Sequence, residues 1–455
     1  MDSSRYPRVR RGVGNPAIPS NVIPLPRLHL CLPGAESAGC RTAPDAGIGG
    51  GVVRSVPDGQ GFVTVSAAGS GPPAHTVATV SGLVEEQRRP AGNSARGPEV
   101  AARVGIALGT AILVCFVTGL LSHWIQNPPQ WFRWPAHPVW LYRVTQGAHV
   151  VSGVAAVPLV LVKLWAVYPR LFQRLRPRSP LWIAERGSIA LLVGSVLFEL
   201  STGLANIAQY YPWQFFFPAA HYAMAFVALG SMAVHLAVKL PLIRTVLARP
   251  GDAAPAPGTP RVSRRAVLGA AWVATGVAAL SVAGQTVPFL RWAAVLAPRS
   301  GHGPQGLPVN RTAAEAAVTA TARDPGYRLV VRAGDRSRAF SRDELAAMPQ
   351  AEADLPIACV EGWSASAHWS GVRLRDLLDA VGYHGGDVRL TSLEQSGLYR
   401  GSILPARFAT DPDTVIALTL NGGVLDLDHG YPCRLIAPNR PGVLQTKWLC
   451  RIEVA

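Results

Sequence analysis

The chain has 455 residues, of which 49% are hydrophobic and only 15% carry a charge. So few charges exclude an ordinary soluble protein of this length, which leaves room for two or three domains. The net charge of +16 does not indicate nucleic-acid binding, because the arginines lie in terminal and loop segments beside apolar runs. The composition therefore indicates a membrane protein with a soluble part, and we expect no nucleic-acid partner.

Residues 1–97 are rich in Gly, Pro, Ser, Ala and Arg and show no sustained hydrophobic periodicity. This composition is typical of disordered segments, so we expect a disordered N-terminal extension. No apolar run follows the charged start, so we do not interpret the extension as a secretory signal. An over-extended gene start is a further hypothesis, which N-terminal sequencing of the native protein would test.

Four apolar runs follow, each long enough to cross a bilayer, which takes about 20 residues. They are 100–121, 139–167, 181–207 and 215–247. The loop after the first run is rich in tryptophan and the loop after the third is aromatic, whereas the loops after the second and fourth carry arginines. Positive charge marks the cytoplasmic side. We therefore predict a four-helix transmembrane domain, 98–249, in a bacterial plasma membrane, with membrane lipid as a partner and the N-terminus inside.

Ionisable residues inside a membrane span are functional candidates, and the second run carries His149 while the fourth carries His221 and His235. Membrane cytochromes hold haem iron between histidines of facing helices. The depths of His149 and His221 differ by only about 7 Å at the helical rise per residue. We interpret all three histidines as candidate haem b ligands; buried hydrogen-bonding side chains are the alternative. Lys163, fourteen residues after His149, stands where an inner haem would need a histidine.

Other polar residues lie in or near these runs. His123, at the outer end of the first run, is a weaker ligand candidate. Lys239 lies near a cytoplasmic end, from which a lysine side chain can reach the interface. Glu199 lies deeper, and we consider it a candidate contact for a quinone or a haem propionate.

A Pro/Gly-rich linker, 250–262, leads into Arg264, Arg265 and an apolar run to about residue 290. The pair of arginines resembles a twin-arginine export signal, and two cytoplasmic arginines before an ordinary fifth span are the alternative. We find no convincing small-x-small cleavage site. We therefore expect 263–291 to be retained as a tether, with everything after it outside the cytoplasm.

The soluble part contains the stretch 355–378, in which Cys359 follows an apolar strand-like run and precedes a turn of Gly, Ser and Trp. A helix-like segment, 372–378, comes next. A thiolate is a soft metal ligand and a nucleophile, although a lone cysteine is more often buried and inert. Further strands are expected at 327–331, 388–393, 415–420, 434–437 and 448–454. A helix at 341–348 has the capping-box pattern Ser341 and Glu344. The elements predict an α+β domain with mostly antiparallel or mixed sheet, and they leave a Cys433–Cys450 disulfide open.

The string Cys-Val-Glu-Gly-Trp-Ser, followed by Trp369 and residues 371–378, resembles the molybdenum-binding segment of the sulfite oxidase superfamily. It is most similar to the bacterial branch that includes periplasmic sulfoxide reductases. A second block, 429–438 with 442 and 445–454, resembles the C-terminal part of the pterin pocket, and the resemblance covers 308–455. The four apolar runs resemble a bacterial membrane cytochrome b. Together they imply a multi-domain chain, an all-α transmembrane helix bundle followed by an α+β sulfite-oxidase-type molybdopterin domain.

The resemblance implies a molybdenum ion held by one pterin dithiolene and by the thiolate of Cys359, the catalytic residue. It also implies a set of cofactor-contacting residues: Trp363, His429, Arg434, Lys447 and, by a weaker match, Asn310 and Arg311. Arginine and lysine suit the phosphate tail of the pterin, although surface charge on strand ends is the alternative.

The sequence departs from true sulfite oxidases, because Glu361 and Trp363 follow the cysteine in place of an arginine-rich stretch. The chain also ends without the second β-sandwich of those enzymes. We therefore expect a neutral S- or N-oxide as the small-molecule substrate, with a quinone pool or another membrane carrier exchanging electrons through haem b. Two alternatives stay open: a sulfite-oxidising domain on a haem-free anchor, and a cytochrome with a non-catalytic pterin-fold module.

Overall fold

The computed structural model describes residues 96–171, 180–248, 262–296 and 303–454. The predicted extension up to residue 95, the arginine-rich loop 172–179 and the linker up to residue 261 lie outside the described residues. The predictions made for those segments therefore stay predictions.

Five long helices come first, and each is long and apolar enough to cross a membrane. They are α1 Pro98–Gln126, α2 Leu141–Leu171, α3 Pro180–Ile207, α4 Phe217–Ala248 and α5 Arg264–Ala283. Helix α1 packs against α2 and α4, α3 packs against α4, and α5 packs against α2. The five predicted spans are thus confirmed as helices. The fifth ends earlier than the predicted boundary near residue 290, because Gly284 closes it and a 3-10 turn, Pro288–Ala293, follows.

Helix α5 is anchored to the bundle at both ends. Ser263 caps its N-terminus by accepting a hydrogen bond from the backbone N–H of Ala266. Arg264 forms an ion pair with Glu99 of α1. Near its other end, Val282 packs in a buried cluster with Val150 and Val154 of α2. The helix therefore lies along α2 as part of the same bundle.

Residues 303–454 form a domain with two five-stranded sheets. The first has the order β2 (Arg336–Phe340), β1 (Leu329–Ala333), β10 (Leu449–Val454), β5 (Val388–Ser392) and β6 (Gly401–Leu404). The second has the order β3 (Ala351–Ala358), β4 (Ser364–Arg373), β7 (Val415–Leu420) and β8 (Gly423–Val424), with β9 (Arg434–Ile436) also paired to β7. Among these pairs only β1 with β10 is parallel. The expected α+β domain with mostly antiparallel, mixed sheet is confirmed.

Short helices complete this domain: α6 Thr319–Ala322, α7 Arg342–Ala347, α8 Leu374–Asp379 and α9 Ala406–Ala409, with 3-10 turns at Pro304–Gly306, Leu427–His429 and Gly442–Leu444. The capping box of α7 is present, since Ser341 and Glu344 exchange side-chain hydrogen bonds with each other's backbone. The helix predicted to begin at residue 372 begins two residues later, because Val372 pairs with Ile416 in the sheet.

The disulfide considered between Cys433 and Cys450 is not formed, and both thiols are free. The sulfur of Cys433 lies 3.1 Å from the hydroxyl of Tyr327. Cys450 instead donates to the backbone carbonyl of Thr391 at 3.3 Å. Each thiol therefore has its own hydrogen-bond partner, Tyr327 for Cys433 and Thr391 for Cys450.

The β-domain packs directly on the ends of the helices. Asn439 accepts a hydrogen bond from the backbone N–H of Tyr142 at 2.6 Å, and its own amide donates to the carbonyl of Pro135 at 2.8 Å. The indole of Trp134 donates to the carbonyl of Asn439 at 2.9 Å. Arg143 of α2 donates to the hydroxyl of Ser366 at 3.0 Å. These contacts fix which face of the domain meets the helices.

We predict that Gly371→Ala destabilises the β-domain. A Cβ at this position would lie 2.0 Å from the carbonyl oxygen of Ile416 and 2.7 Å from Cα of Ala417, where β4 and β7 pair. Neither backbone atom can move without breaking the sheet, so we expect a loss of roughly 1–3 kcal/mol in thermal unfolding of the purified protein. Gly269→Ala in α5 is the matched control, because its Cβ would meet nothing within 4 Å. Equal melting temperatures for the two variants would contradict this account.

Candidate functional site

Cys359 lies directly after β3, at the start of a tight turn. Its backbone N–H donates to the carbonyl of Trp363 at 2.9 Å, and the N–H of Gly362 donates back to the carbonyl of Cys359 at 3.1 Å. Gly362 has a φ of 93°, which a residue with a Cβ adopts only at a cost. The glycine therefore lets the turn close. It leaves the Cys359 side chain 1% exposed at the wall of a cavity.

All seven residues predicted for this site line that one cavity: Asn310, Arg311, Cys359, Trp363, His429, Arg434 and Lys447. They come from the start of the domain, from the Cys359 turn, and from the segment between the 3-10 turn Leu427–His429 and β10. The fold brings these three segments together across one cleft. The structure therefore places the seven predicted residues around one cavity.

Two cations, the buried Arg434 and the half-buried Lys447, define the charge of the cavity. The guanidinium of Arg434 lies over the ring of Trp369 and donates to the carbonyls of His429 and Gln445, while its Nε has no hydrogen-bond partner. Burial lowers the pKa of Arg434 to about 9. Burial and the nearby Arg434 charge lower the pKa of Lys447 to about 7. Neither cation is ion-paired with a carboxylate in the described part of the chain, so the site suits an anion.

The other predicted contacts orient these cations. Lys447 donates to the side-chain oxygen of Asn310 at 3.2 Å and to the carbonyl of Asp428 at 3.0 Å. Arg311 forms an ion pair with Glu394 at 2.7 Å. His429 shares a 2.7 Å hydrogen bond between its Nε2 and the carbonyl of Pro304. Burial, with the Arg434 charge, lowers the pKa of His429 to about 4, so His429 is neutral and donates this bond.

The Cys359 thiol is held in its protonated form. Burial is the main cause that raises its pKa, and the charge of Glu361 raises it further. The indole of Trp363 donates to the carboxylate of Glu361 at 3.1 Å, which keeps that carboxylate beside the turn. A thiol in this environment is unreactive on its own, but a bound metal ion replaces the proton and stabilises the thiolate.

Several cavity residues escaped the sequence analysis: Glu394, Tyr399, Gln445 and Thr446. Tyr399 is the most informative, because burial and its proximity to Cys359 raise the pKa of its hydroxyl. It lies in a loop with no hydrophobic periodicity, so no local pattern pointed to it. Gln445 and Thr446 belong to the block 445–454, which resembles the pterin pocket, so this resemblance could have identified them.

A second site lies between the helices. The rings of His149 on α2 and His221 on α4 have their centres 6.3 Å apart. Nδ1 of His149 lies 2.9 Å from the carbonyl of Cys115, and Nδ1 of His221 lies 3.1 Å from the hydroxyl of Thr202. Both bonds orient the rings, and the carbonyl of Cys115, which can only accept, assigns the proton of a neutral His149 to Nδ1, so that its Nε2 is an available lone pair. Nε2 of His221 lies 3.0 Å from the carboxylate of Glu199.

These two histidines line a large cavity of about 1320 Å³. Glycines flank both rings: a Cβ at Gly119 would lie 3.1 Å from His149, and one at Gly203 would lie 3.8 Å from His221. One oxygen of Glu199 is buried in this region without a hydrogen-bond partner. The cavity between the helices therefore combines small residues, two imidazoles and an unpaired carboxylate oxygen.

The remaining histidine candidates differ from this pair. His123 lines the same cavity but is stacked on Tyr222, with ring centres 3.7 Å apart. His235 does not line the cavity, and the charges nearest to it are those of Lys163 and Lys239. Lys163 itself donates to the carbonyl of Ala101 at 2.6 Å. Among the described residues, no histidine is recorded in ring contact with His235, so the prediction that His235 is a haem ligand stays a prediction.

The two cavities have a common wall. Glu394 and Tyr399 line both the Cys359 cavity and the cavity between the helices. Val360, the neighbour of Cys359, also lines the second cavity. The site in the β-domain and the site in the helix bundle are therefore adjacent.

We predict that sulfate binds at Arg434 and Lys447 when the cavity holds no other ligand. Lys447 carries its charge below its pKa of about 7 and loses it above. Stabilisation by sulfate, measured as a melting shift against chloride at equal ionic strength, should therefore fall between about pH 6 and about pH 8. In Lys447→Met the affinity should drop about tenfold and this pH dependence should vanish. Arg332→Met, at an exposed strand position, is the control; an unchanged pH profile in Lys447→Met would contradict the assignment.

Comparison with known proteins identifies the β-domain. Residues 316–455 match the family described as the oxidoreductase molybdopterin binding domain. Mitochondrial sulfite oxidase of Drosophila melanogaster is 30% identical over 155 residues, which cover 28% of this chain and 27% of the fly protein. The mitochondrial sulfite oxidase of Mus musculus is 31% identical over 157 residues, or 28% of this chain and 29% of the mouse protein.

A bacterial relative and a solved structure are also similar to part of the chain. YedZ1 of Azospira oryzae, named as a protein-methionine-sulfoxide reductase subunit, is 34% identical over 111 residues, which cover 24% of this chain and 42% of that protein. The sulfane dehydrogenase SoxCD of Paracoccus pantotrophus covers 29% of this chain and 38% of that chain at 24% identity and a TM-score of 0.27, too low to support an argument. The chain spans less than half of each relative's length. The C-terminal region is a molybdopterin-binding oxidoreductase domain of the sulfite oxidase family.

Proposed function

We propose that this protein is a membrane-bound, molybdopterin-dependent oxidoreductase that exchanges electrons between haem b in its helix bundle and a molybdenum centre at Cys359. The single observation that carries the proposal is the common wall of the two cavities, formed by Glu394 and Tyr399. A redox site between membrane helices and a redox site in the attached domain are adjacent in one chain. That arrangement suits transfer of electrons between a membrane carrier, such as a quinone, and a substrate.

The residues of the Cys359 cavity fit a molybdopterin. The two cations, Arg434 and Lys447, would hold its phosphate tail, and the unpaired Nε of Arg434 is a donor that still lacks an acceptor. The thiol of Cys359 would supply the protein ligand to the metal. When bound, the molybdenum supplies the oxygen-atom transfer, whereas the protein supplies orientation, charge and access.

The helix cavity fits a haem held by His149 and His221. The rings of these histidines, whose centres lie 6.3 Å apart, would hold the iron of a haem. Nε2 of His221 would be free to do so once the carboxylate of Glu199, which lies 3.0 Å away, releases it.

The contacts of the β-domain support an extracytoplasmic location. The domain packs against Trp134, in the tryptophan-rich loop that we assign to the outer interface, and against Tyr142 at the beginning of α2. The ion pair of Arg264 with Glu99 lies at the beginning of α5, and α5 runs from there towards Gln285, whose carbonyl accepts from Ser364 of the domain. We propose that Arg264 and Arg265 stay in the cytoplasm and that α5 is a retained, twin-arginine-like tether in the bacterial plasma membrane.

We propose a neutral S- or N-oxide as the substrate. The carboxylate of Glu361 lies beside the Cys359 turn and disfavours a second negative charge there. The Azospira oryzae relative, which is named as a protein-methionine-sulfoxide reductase subunit, agrees with a sulfoxide. The overall reaction would be sulfoxide + quinol → sulfide + quinone + water, in which the quinol supplies both electrons and both protons. Sulfite oxidation is the second candidate, because the mitochondrial relatives are sulfite oxidases.

Molybdenum analysis tests the first half of this proposal. We expect one molybdenum per chain in the purified protein and its loss in Cys359→Ser, because the hydroxyl is a poor substitute for a soft thiolate ligand. Cys433→Ser, at a buried thiol that does not line the cavity, is the control and should retain the metal. Metal retained in Cys359→Ser would contradict the proposal. Turnover of sulfite, with no turnover of a dialkyl sulfoxide by the dye-reduced enzyme, would favour the second candidate.

A reduced-minus-oxidised optical spectrum tests the haem. We expect a haem b band that is lost in both His149→Ala and His221→Ala, since a bis-histidine iron needs both ligands. His235→Ala should keep the band, because this residue does not line the cavity. A protein without the band, or a band that survives both substitutions, would show that the helices carry no haem at these histidines.

A further inference from the structure

Two side-chain amides of the helix bundle meet at one backbone carbonyl of the β-domain. Gln146 of α2 donates to the carbonyl oxygen of Val360 at 3.3 Å, and Asn206 of α3 donates to the same oxygen at 3.2 Å. Val360 directly follows Cys359. A carbonyl oxygen has two lone pairs, so both bonds can form at once.

The same turn packs tightly against its neighbours in the helices. A Cβ at Gly362 would lie 3.0 Å from the side chain of Val150 and 3.6 Å from that of Ile207. These are the chain neighbours of His149 and Asn206. The turn that carries Cys359 therefore rests on the helices through both polar and apolar contacts.

The positions of the two amides along their helices link them to the histidine pair. Gln146 lies three residues, or about one helical turn, before His149. Asn206 lies four residues after Thr202, whose hydroxyl bonds to His221. Gln146 thus lies on the same helix as His149, and Asn206 lies on the same helix as Thr202, which orients the ring of His221.

We infer that Gln146 and Asn206 are positioning residues that hold the Cys359 turn in a fixed register over the helices carrying His149 and His221. This inference rests on the proposed function, because a fixed register matters where electrons pass between the two sites. Both side chains also line the helix cavity. The role that we assign to them is the contact with the carbonyl of Val360, and the structure they position is the turn 359–363.

The test uses the full-length protein with Gln146→Met and Asn206→Leu, which keep side-chain volume and remove the donors. Hydrogen–deuterium exchange of the amides in 360–363, measured in protein grown without molybdenum, should accelerate about fivefold for each lost bond. Gln350→Met is the matched control, because it removes a glutamine donor whose amide binds the carbonyl of Leu345 at 2.9 Å in the β-domain. It should leave the exchange of the turn unchanged.

Gln146→Glu adds a readout that general loosening of the structure would not give. A glutamic acid there donates to the Val360 carbonyl only while it is protonated, and its carboxylate repels that oxygen. The exchange of the turn, relative to wild type at each pH, should therefore be slow at low pH and fast once the carboxyl ionises. If the ratio of the exchange rates of the turn in Gln146→Glu and in wild type is the same at every pH, the inference is overturned.

In the metal-loaded protein, the rate at which a sulfoxide oxidises the ferrous haem should fall about tenfold in the double variant. The dye-driven reduction of the sulfoxide should fall less. Unchanged haem oxidation together with unchanged exchange of the turn overturns the inference while the proposed function stands. A protein that carries no haem overturns the proposed function, and the exchange experiment then still decides whether the two amides position the turn.

Discussion

The arrangement of both sites depends on how the turn after β3 meets the helix bundle. Cys359 is buried at one side of this turn, and on the other side the carbonyl of Val360 accepts hydrogen bonds from two membrane helices. A buried backbone carbonyl without partners is costly, so these bonds are required wherever the turn is covered. These bonds connect the turn to the helices that carry His149 and Thr202, and our inference that they fix its register follows from this contact.

The charges of the two cavities are complementary to different ligands. The Cys359 cavity holds two cations, the buried Arg434 and the half-buried Lys447, and burial lowers the pKa of each. Such cations are stable only with hydrogen-bond acceptors or an anion nearby, which fits a phosphate-bearing cofactor. The helix cavity holds two imidazoles between small residues, which agrees with the haem that we propose there. In that proposal the first site serves oxygen-atom transfer and the second serves electron transfer.

Docking of the β-domain on the helices also explains the role of α5. Connected only through a flexible linker, a domain would sample many positions, and two redox sites would rarely be close. Here Val282 of α5 packs on α2, and the hydroxyl of Ser364 donates to the carbonyl of Gln285 just beyond that helix. The helix thus holds the beginning of the β-domain beside α2, and Asn439 completes the contact from the far end of the chain.

Much of this organisation could be predicted from local sequence. Long apolar runs specify helices because every backbone polar group in a bilayer must be satisfied within the segment, and the five runs did form helices. The residues of the Cys359 cavity were named because they lie in two recognisable blocks. The boundaries were less certain: Val372 joined β4 rather than the helix after it, since pairing with Ile416 outweighed the local helical pattern.

Contacts between segments far apart in the chain were decided by the tertiary structure. The sequence by itself determined the helices, the mixed sheet and the family resemblance that pointed to Cys359. Each of these can be recognised from residues that are close together in the chain, within one helical turn, one strand or one motif. It did not reveal that Tyr399 lines both cavities, or that Gln146 and Asn206 share one carbonyl. A glutamine in an apolar helix has the same local pattern whether it faces lipid or a protein. Only packing of the β-domain on the bundle supplies its acceptor, so this part of the site had to come from the fold.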